Sequence, residues 1–234
     1  MKTMVRALLT TVAGLGFVLG TPALALAQDD VTNTKHNLSV LSGGTDPTTG
    51  TALMDYGEVC VYCHTPHGGQ VDAPLWNRAF NPGTNYQMYD DVSSASIDMS
   101  VDGMPTGVSL ACLSCHDGTI GLDVITNAPN AYTGSVATLS TAANQMPVGI
   151  TNLGEDLRND HPISVVYDNS VGGDPAFNSI AAIEGDGIKL FIDPSSPGQK
   201  VQCASCHNPH DNDLVPFLRI ANTGSNLCKS CHIK

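Results

Sequence analysis

Large aromatic side chains are scarce in this chain. They make up 5% of its 234 residues, and Trp76 is the sole tryptophan. An interior of ordinary construction at this length buries more such surface, so the polypeptide by itself is a poor source of a self-sufficient core. Cations are few as well, 10 Lys and Arg against 22 Asp and Glu, for a net charge of −12. That imbalance argues against nucleic acid or an anionic lipid surface as partner, and it leaves little from which to build an oxyanion pocket. A long apolar run occurs once, at the N-terminus. No other stretch is long enough to cross a bilayer, which excludes a transmembrane segment in the remainder.

That one run has the grammar of an export signal. Lys2 and Arg6 precede apolar residues 7–27, which close on Ala25-Leu26-Ala27. A positive start, an apolar middle and a small-residue cleavage site form a removable leader. Thr10, Thr11, Thr21 and Pro22 interrupt the run and argue against a membrane anchor. The expectation is a signal peptide over 1–27 and one domain over 28–234. The mature chain then has 207 residues and keeps 8 basic against 22 acidic side chains, a net charge of −14. Such a surface suits solubility outside the cytoplasm.

All eight cysteines fall in one repeated pattern. Cys60-Val-Tyr-Cys63-His64, Cys112-Leu-Ser-Cys115-His116, Cys203-Ala-Ser-Cys206-His207 and Cys228-Lys-Ser-Cys231-His232 are each Cys-x-x-Cys-His. Two thiols at this spacing can add to the two vinyl groups on one porphyrin edge, and the next residue is then held as an axial iron ligand. A lone Cys-x-x-Cys could be half a zinc knuckle or a redox disulfide. Neither alternative calls for a histidine directly after every pair. Four covalent c-type haems are therefore expected, with His64, His116, His207 and His232 as proximal ligands. The porphyrins would supply the apolar surface that the side chains lack, so the apoprotein is expected to be largely unfolded.

Four further histidines remain, one per expected iron: His36, His67, His161 and His210. Their number suggests two imidazoles on every haem. Methionine is the competing axial ligand, and the mature chain offers Met54, Met88, Met99, Met104 and Met146. His67 and His210 each lie three residues after a proximal histidine, in His64-Thr-Pro-His67 and His207-Asn-Pro-His210. At helical spacing such a pair shares one face, so the second histidine cannot reach the far side of the same iron and must serve a different haem. Closed irons leave no place for a substrate, which favours electron transfer over catalysis.

The segments between motifs are rich in Gly, Pro, Ser, Thr, Asn and Asp. Residues 28–56 read as an extended N-terminal arm and 119–159 as an irregular insertion with scope for short strands. Ile163–Tyr167 reads as a strand. Ile188–Ile192 and Lys200–Ala204 flank a Pro-Ser-Ser-Pro-Gly turn and predict a β-hairpin that delivers the third motif. Each motif should occupy a short helix. Motif starts are 52, 91 and 25 residues apart, and no long repeat surrounds them. The fold class expected is a multihaem cytochrome c, mostly irregular coil with short helices and a minor β-hairpin, wrapped around a chain of four haems. The Asn37-Leu38-Ser39 glycosylation match reads as chance.

Several of these segments occur in a specific order: His36-Asn-Leu-Ser, Cys60-Val-Tyr-Cys-His-Thr-Pro-His67, Pro74-Leu-Trp-Asn-Arg78, Cys112-Leu-Ser-Cys-His-Asp-Gly-Thr119, Asn159-Asp-His-Pro-Ile-Ser164, Val201-Gln-Cys-Ala-Ser-Cys-His-Asn-Pro-His210 and Leu227-Cys-Lys-Ser-Cys-His232. Over residues 36–232 the chain resembles the OmcE-type tetrahaem cytochromes, which polymerise into extracellular filaments. The resemblance implies that His36, His67, His161 and His210 are distal ligands, and that parallel-stacked and T-shaped haem pairs alternate. It also implies one iron ligated from a neighbouring subunit, for which His67 reaching the haem at His232 is the candidate. Under this reading the protein is a non-enzymatic conductor, exported to the extracellular space or cell surface. It would self-associate head to tail and exchange electrons with other redox proteins or external acceptors. A discrete periplasmic or surface carrier is the alternative, and a multihaem oxidoreductase with one open iron the third reading.

Overall fold

The computed structural model describes residues 31–39, 53–71, 73–80, 84–89, 97, 99–137, 144–167, 176–193 and 196–233. The expected signal peptide and residues 28–30 and 40–52 of the expected arm lie outside them. Regular structure is sparse, and coil dominates. The longest helix, α1, runs Gly107–His116. It ends at the second motif, where Asp117-Gly118 follows and Gly118 takes a left-handed φ of 72°, the usual way to close a helix. Three shorter helices follow: α2 Ile180–Gly185, α3 Cys203–Cys206 and α4 Asn226–Cys231. Single 3-10 turns cover Val31–Asn33, Cys60–Tyr62, Leu157–Asn159 and Thr223–Ser225. Every Cys-x-x-Cys-His therefore begins on or within a helical turn, and its histidine closes that turn or follows within two residues. Among the described residues no helix is long and apolar enough to cross a membrane.

One small antiparallel sheet is present, with strands β1 Val165–Val166, β2 Phe191–Asp193 and β3 Ser196–Val201 in the order β1-β3-β2. Val165 pairs with Val201, and Ile192 with Gln199. The hairpin lies where it was expected but its bounds differ. Pro197 and Gly198 belong to β3 rather than to the turn, because Gly198 adopts a φ of 98° that carries the strand through. The strand stops at Val201 because Gln202 begins a helix instead. Its side chain and that of Ser205 form a reciprocal capping box on α3. The expected strand 163–167 narrows to β1.

Residues 119–137 and 144–159 contain no strand. Their place in the molecule is central all the same, since Ile120, Leu122, Val124 and Ile125 are buried. The carbonyls of Gly121, Leu122 and Val124 are taken by the Arg78 guanidinium, so they are not free to build a ladder. Three small apolar clusters replace a single core. Tyr56, Val61, Tyr62 and Ile125 back the first motif; Met88, Leu113 and Leu157 back the second; Tyr167, Ile183 and Ile188 back the fourth. Between the second and third motifs the packing is polar. Ser109 of α1 donates to Gln202 and accepts from the Cys203 amide, and Ser109 and Gln202 are 0% and 1% exposed. Fully bonded buried polar groups of this kind fix two elements in one register.

Candidate haem sites

The structure brings successive motifs next to one another. Cys112 hydrogen bonds Cys203, which pushes the Cys112 thiol up and draws Cys203 down, while burial raises both. Burial pushes Cys63 up to about 12, and its neighbour Cys115 adds to the rise. Burial likewise raises Cys206, with Cys203 and Cys228 adding to it, and raises Cys231 to about 11 with help from Cys206. The thiols of motifs one and two, two and three, and three and four thus lie within electrostatic reach of one another. All eight cysteines are free thiols. Once joined to porphyrin vinyls they become thioethers and no longer titrate.

Three of the motif histidines each face a second imidazole. His116 lies 6.2 Å from His36 between ring centres, His64 lies 6.0 Å from His210, and His232 lies 6.4 Å from His161. An iron held by two imidazoles needs about 2 Å for each metal–nitrogen bond and about 1.2 Å more to each ring centre, roughly 6.3 Å in all. The three spans match that requirement, so these residues fit a six-coordinate haem iron. The ring nitrogens fit it too. The Nδ1–H of His64 donates to Pro74 O at 2.8 Å, His116 to Thr151 O at 2.7 Å and His207 to Pro216 O at 2.9 Å. His36 and His161 do the same with Pro209 O at 3.1 Å and Pro162 O at 2.9 Å. A carbonyl can only accept, so the proton is placed on Nδ1 and the Nε2 lone pair is left for a metal. Burial lowers the His36 pKa, and His116, His210 and His207 lower it further.

His67 and His207 have no facing imidazole. The expectation that His67 and His210 follow their proximal histidines on a helix face is not met. The 3-10 turn of the first motif ends at Tyr62 and α3 ends at Cys206. Pro66 and Pro209 hold the preceding residue away from helical geometry. His67 is exposed on the resulting loop.

The surroundings of motifs one and three match contact for contact, a repeat that unequal spacing hides in the sequence. Thr65 N bonds Leu75 O and Asn208 N bonds Phe217 O, both at 2.8 Å. Asn77 N reaches Cys63 O at 2.9 Å and Arg219 N reaches Cys206 O at 2.8 Å. The Asn77 side chain holds Val61 O as the Arg219 side chain holds Ala204 O. Bridges join His64 to Trp76 and His207 to Leu218. In each copy a proline supplies the carbonyl for Nδ1, and the next residue, Leu75 or Phe217, has positive φ. Each half also takes a histidine from upstream onto its second motif, His36 for His116 and His161 for His232.

The competing methionines have other contacts. Met88 is buried against Leu113 and Leu157, Met54 and Met99 pack on the first and third clusters, and Met146 Sδ accepts from Thr151 Oγ1. Met104 is 44% exposed. Asn37 is buried with its amide donating to Thr32 O, which ties the turn bearing His36. Asn77-Arg78 stands in the sequence only as part of the Pro74–Arg78 segment, with no role attached to either side chain. Only the fold reveals that the Asn77 side chain ties the first motif at Val61 to Asn127, while the next residue, Arg78, ties the second motif at Ser114 to residues 121–124.

Residues 196–234 match the family described as the doubled CXXCH motif. No curated protein matches the chain. The family match spans motifs three and four, and its pattern is that of covalently bound c-type haem. The match implies covalently bound c-type haem, a cofactor whose chemistry is one-electron transfer.

Proposed function

We propose that this chain carries four c-type haems, each on two histidines, and passes electrons along them as one subunit of an extracellular filament. The observation that carries the ligation is the trio of imidazole pairs spaced for one metal each. His64 would pair with His210, His116 with His36 and His232 with His161, the first-named residue being proximal in each case. Cys60/Cys63, Cys112/Cys115, Cys203/Cys206 and Cys228/Cys231 would hold the porphyrins. Bound haem supplies one-electron exchange between ferric and ferrous iron. The protein's part is to fix tautomers through backbone carbonyls, to crowd the attachment edges together and to leave no ligand position open.

His67 and His207 are the two histidines left over, and the internal repeat suggests how they meet. Within the chain, His210 of the second half faces His64, the first motif of the first half. Repeating that step between copies would bring His67 of one subunit to His207 of the subunit before it. His232, the partner first expected for His67, is already faced by His161. A contact of this kind does not close on itself and extends into a filament. Exposed apolar side chains flank both ends of the joint. Val71 is 92% and Leu75 54% exposed near His67, and Val215 is 74% exposed beside Pro216. Covalent haem attachment and filament growth would place the protein outside the cytoplasm, in the extracellular space or at the cell surface, with the periplasm as the alternative. Its electron partners would be other redox proteins or external acceptors.

The unpaired His207 also supports a second reading, a discrete carrier with one iron open on its distal side. Mass spectrometry and a pyridine haemochrome assay on the purified protein separate these. Four haems per chain, all low-spin in the assembled state, are expected. His67→Ala should retain four haems, lose filaments in electron micrographs and gain one high-spin ferric signal. Fewer than four haems rejects the ligation. Unchanged filaments reject the joint, and a wild-type protein that stays monomeric with one high-spin haem supports the discrete carrier.

A further inference from the structure

Arg78 is 0% exposed, and its guanidinium is spent on uncharged acceptors. Nε donates to Ser114 Oγ at 3.2 Å. Nη1 donates to Leu122 O and Val124 O, both at 2.8 Å, and Nη2 to Ser114 O at 2.9 Å and Gly121 O at 2.7 Å. All five N–H groups are satisfied, and none is bonded to a carboxylate. The nearest buried acids are engaged elsewhere. Asp117 accepts from Tyr86 and Thr119, and Asp123 from Met54 N and Asn144. Lys200, likewise 0% exposed, is different, because it is ion-paired with Asp102.

The place of this charge is specific. Ser114 lies inside the second motif, between Cys112 and Cys115, and Arg78 adjoins Asn77, whose amide bonds Cys63 of the first motif. In the matching copy around motif three, the residue after Arg219 is Ile220, packed on an apolar cluster. The two halves share the prolyl carbonyl on Nδ1 and the loop contacts; motif three has the half-buried Arg219 where motif one has Asn77, whereas only the first half buries a full guanidinium without a carboxylate partner. A full charge in a poorly screened interior acts strongly on a neighbouring centre that changes charge. A positive one favours the state with the extra electron. Net charge and burial are among the levers that set such potentials.

We propose that Arg78 raises the reduction potential of the haems on the first and second motifs relative to those on the third and fourth, and so sets a direction between the two halves. This rests on the reading of motifs one and two as haem sites. The guanidinium exchanges no electron itself. In the test each ferric iron takes one electron from an electrode and becomes ferrous.

The experiment is spectroelectrochemical titration of the fully loaded protein, with haem content and spin state measured first. In Arg78→Gln, one or two of the four haems should show at least a tenfold lower ferrous-to-ferric ratio at a fixed potential, about 59 mV for one electron. Arg78→Lys keeps the charge while weakening the clamp, and should titrate like wild type. Ser114→Asp replaces the hydroxyl on Nε with a carboxylate and keeps the four carbonyl contacts, so it should shift the same haems downward. Ser114→Ala should not. If Arg78→Gln loads four low-spin haems with unchanged titration, or if Arg78→Lys shifts as far as Arg78→Gln, the proposal is overturned. Should Arg78→Gln fail to load haem, an unchanged titration of Ser114→Asp overturns it alone. A low haem count in the wild type would instead count against the four-haem reading, which separates the two failures.

Discussion

Asn77 and Arg78 illustrate what a single residue does in a protein with little apolar surface. Asn77 is 0% exposed; its Nδ2 donates to Val61 O at 2.7 Å and Asn127 O at 2.9 Å, and its Oδ1 accepts from Asn127 N at 2.9 Å. Truncation to Ala would strand the buried Val61 carbonyl and the partly buried carbonyl and amide of Asn127. Each unmet buried group costs about 1–3 kcal/mol. Asn77→Ala is therefore expected to lower the denaturation midpoint of the haem-loaded protein while leaving its redox titration in place, in contrast to Arg78→Gln. An unchanged midpoint would show that the clamp contributes nothing. The motif histidines stand out in the sequence because each follows its two cysteines within five residues. The distal pairs do not. His36 reaches Pro209 across 173 residues, and no local pattern encodes a contact of that range. Only the count of histidines hinted that partners existed.

At the scale of elements, short helices and a three-stranded sheet act as mounts for the motifs rather than as a core. β3 ends at Val201 and α3 opens at Cys203, so the strand register sets the position of the third attachment site. Gly198 holds that register. A Cβ there would meet Val166 Cγ1 at 2.9 Å, and its φ of 98° is one that side chains rarely adopt. Strain of this sort costs about 1–3 kcal/mol. Gly198→Ala should lower the melting temperature of the loaded protein by several degrees and reduce haem occupancy at Cys203/Cys206 more than at Cys60/Cys63, as read by peptide mass spectrometry. Uniform occupancy would mean the sheet does not position that site. The hairpin was visible in advance through its Pro-Ser-Ser-Pro-Gly turn. Its boundary was not, because the Gln202–Ser205 capping box outweighs the β-propensity of the residues around it. The buried role of residues 119–125 was also hidden, since their backbone is organised by one remote arginine rather than by their own pattern.

At the scale of the molecule, the three clusters of three or four buried apolar residues among the described residues are too small to offset the conformational entropy of ordering them. Replacing all eight cysteines with Ala should thus leave a chain whose far-ultraviolet circular dichroism is that of coil; a native-like melting transition would contradict this. The same economy bears on assembly. With little apolar area to bury, a joint made by a metal–imidazole bond gains its strength from coordination. The proposed joint would also have polarity, with His67 contributed by one subunit and His207 by the other. A His67→Ala subunit retains the His207 end, so it can accept one wild-type neighbour but cannot dock onto another. Mixed with wild type before assembly, it should act as a one-sided cap. At one variant subunit in ten, mean filament length should fall to roughly ten subunits, the statistical limit for a linear head-to-tail chain, as measured in electron micrographs against an unmixed control. His161→Ala, whose lost ligand lies within one chain, should leave the length distribution unchanged at the same ratio. Equal shortening by both variants, or by neither, would mean that growth does not proceed through His67.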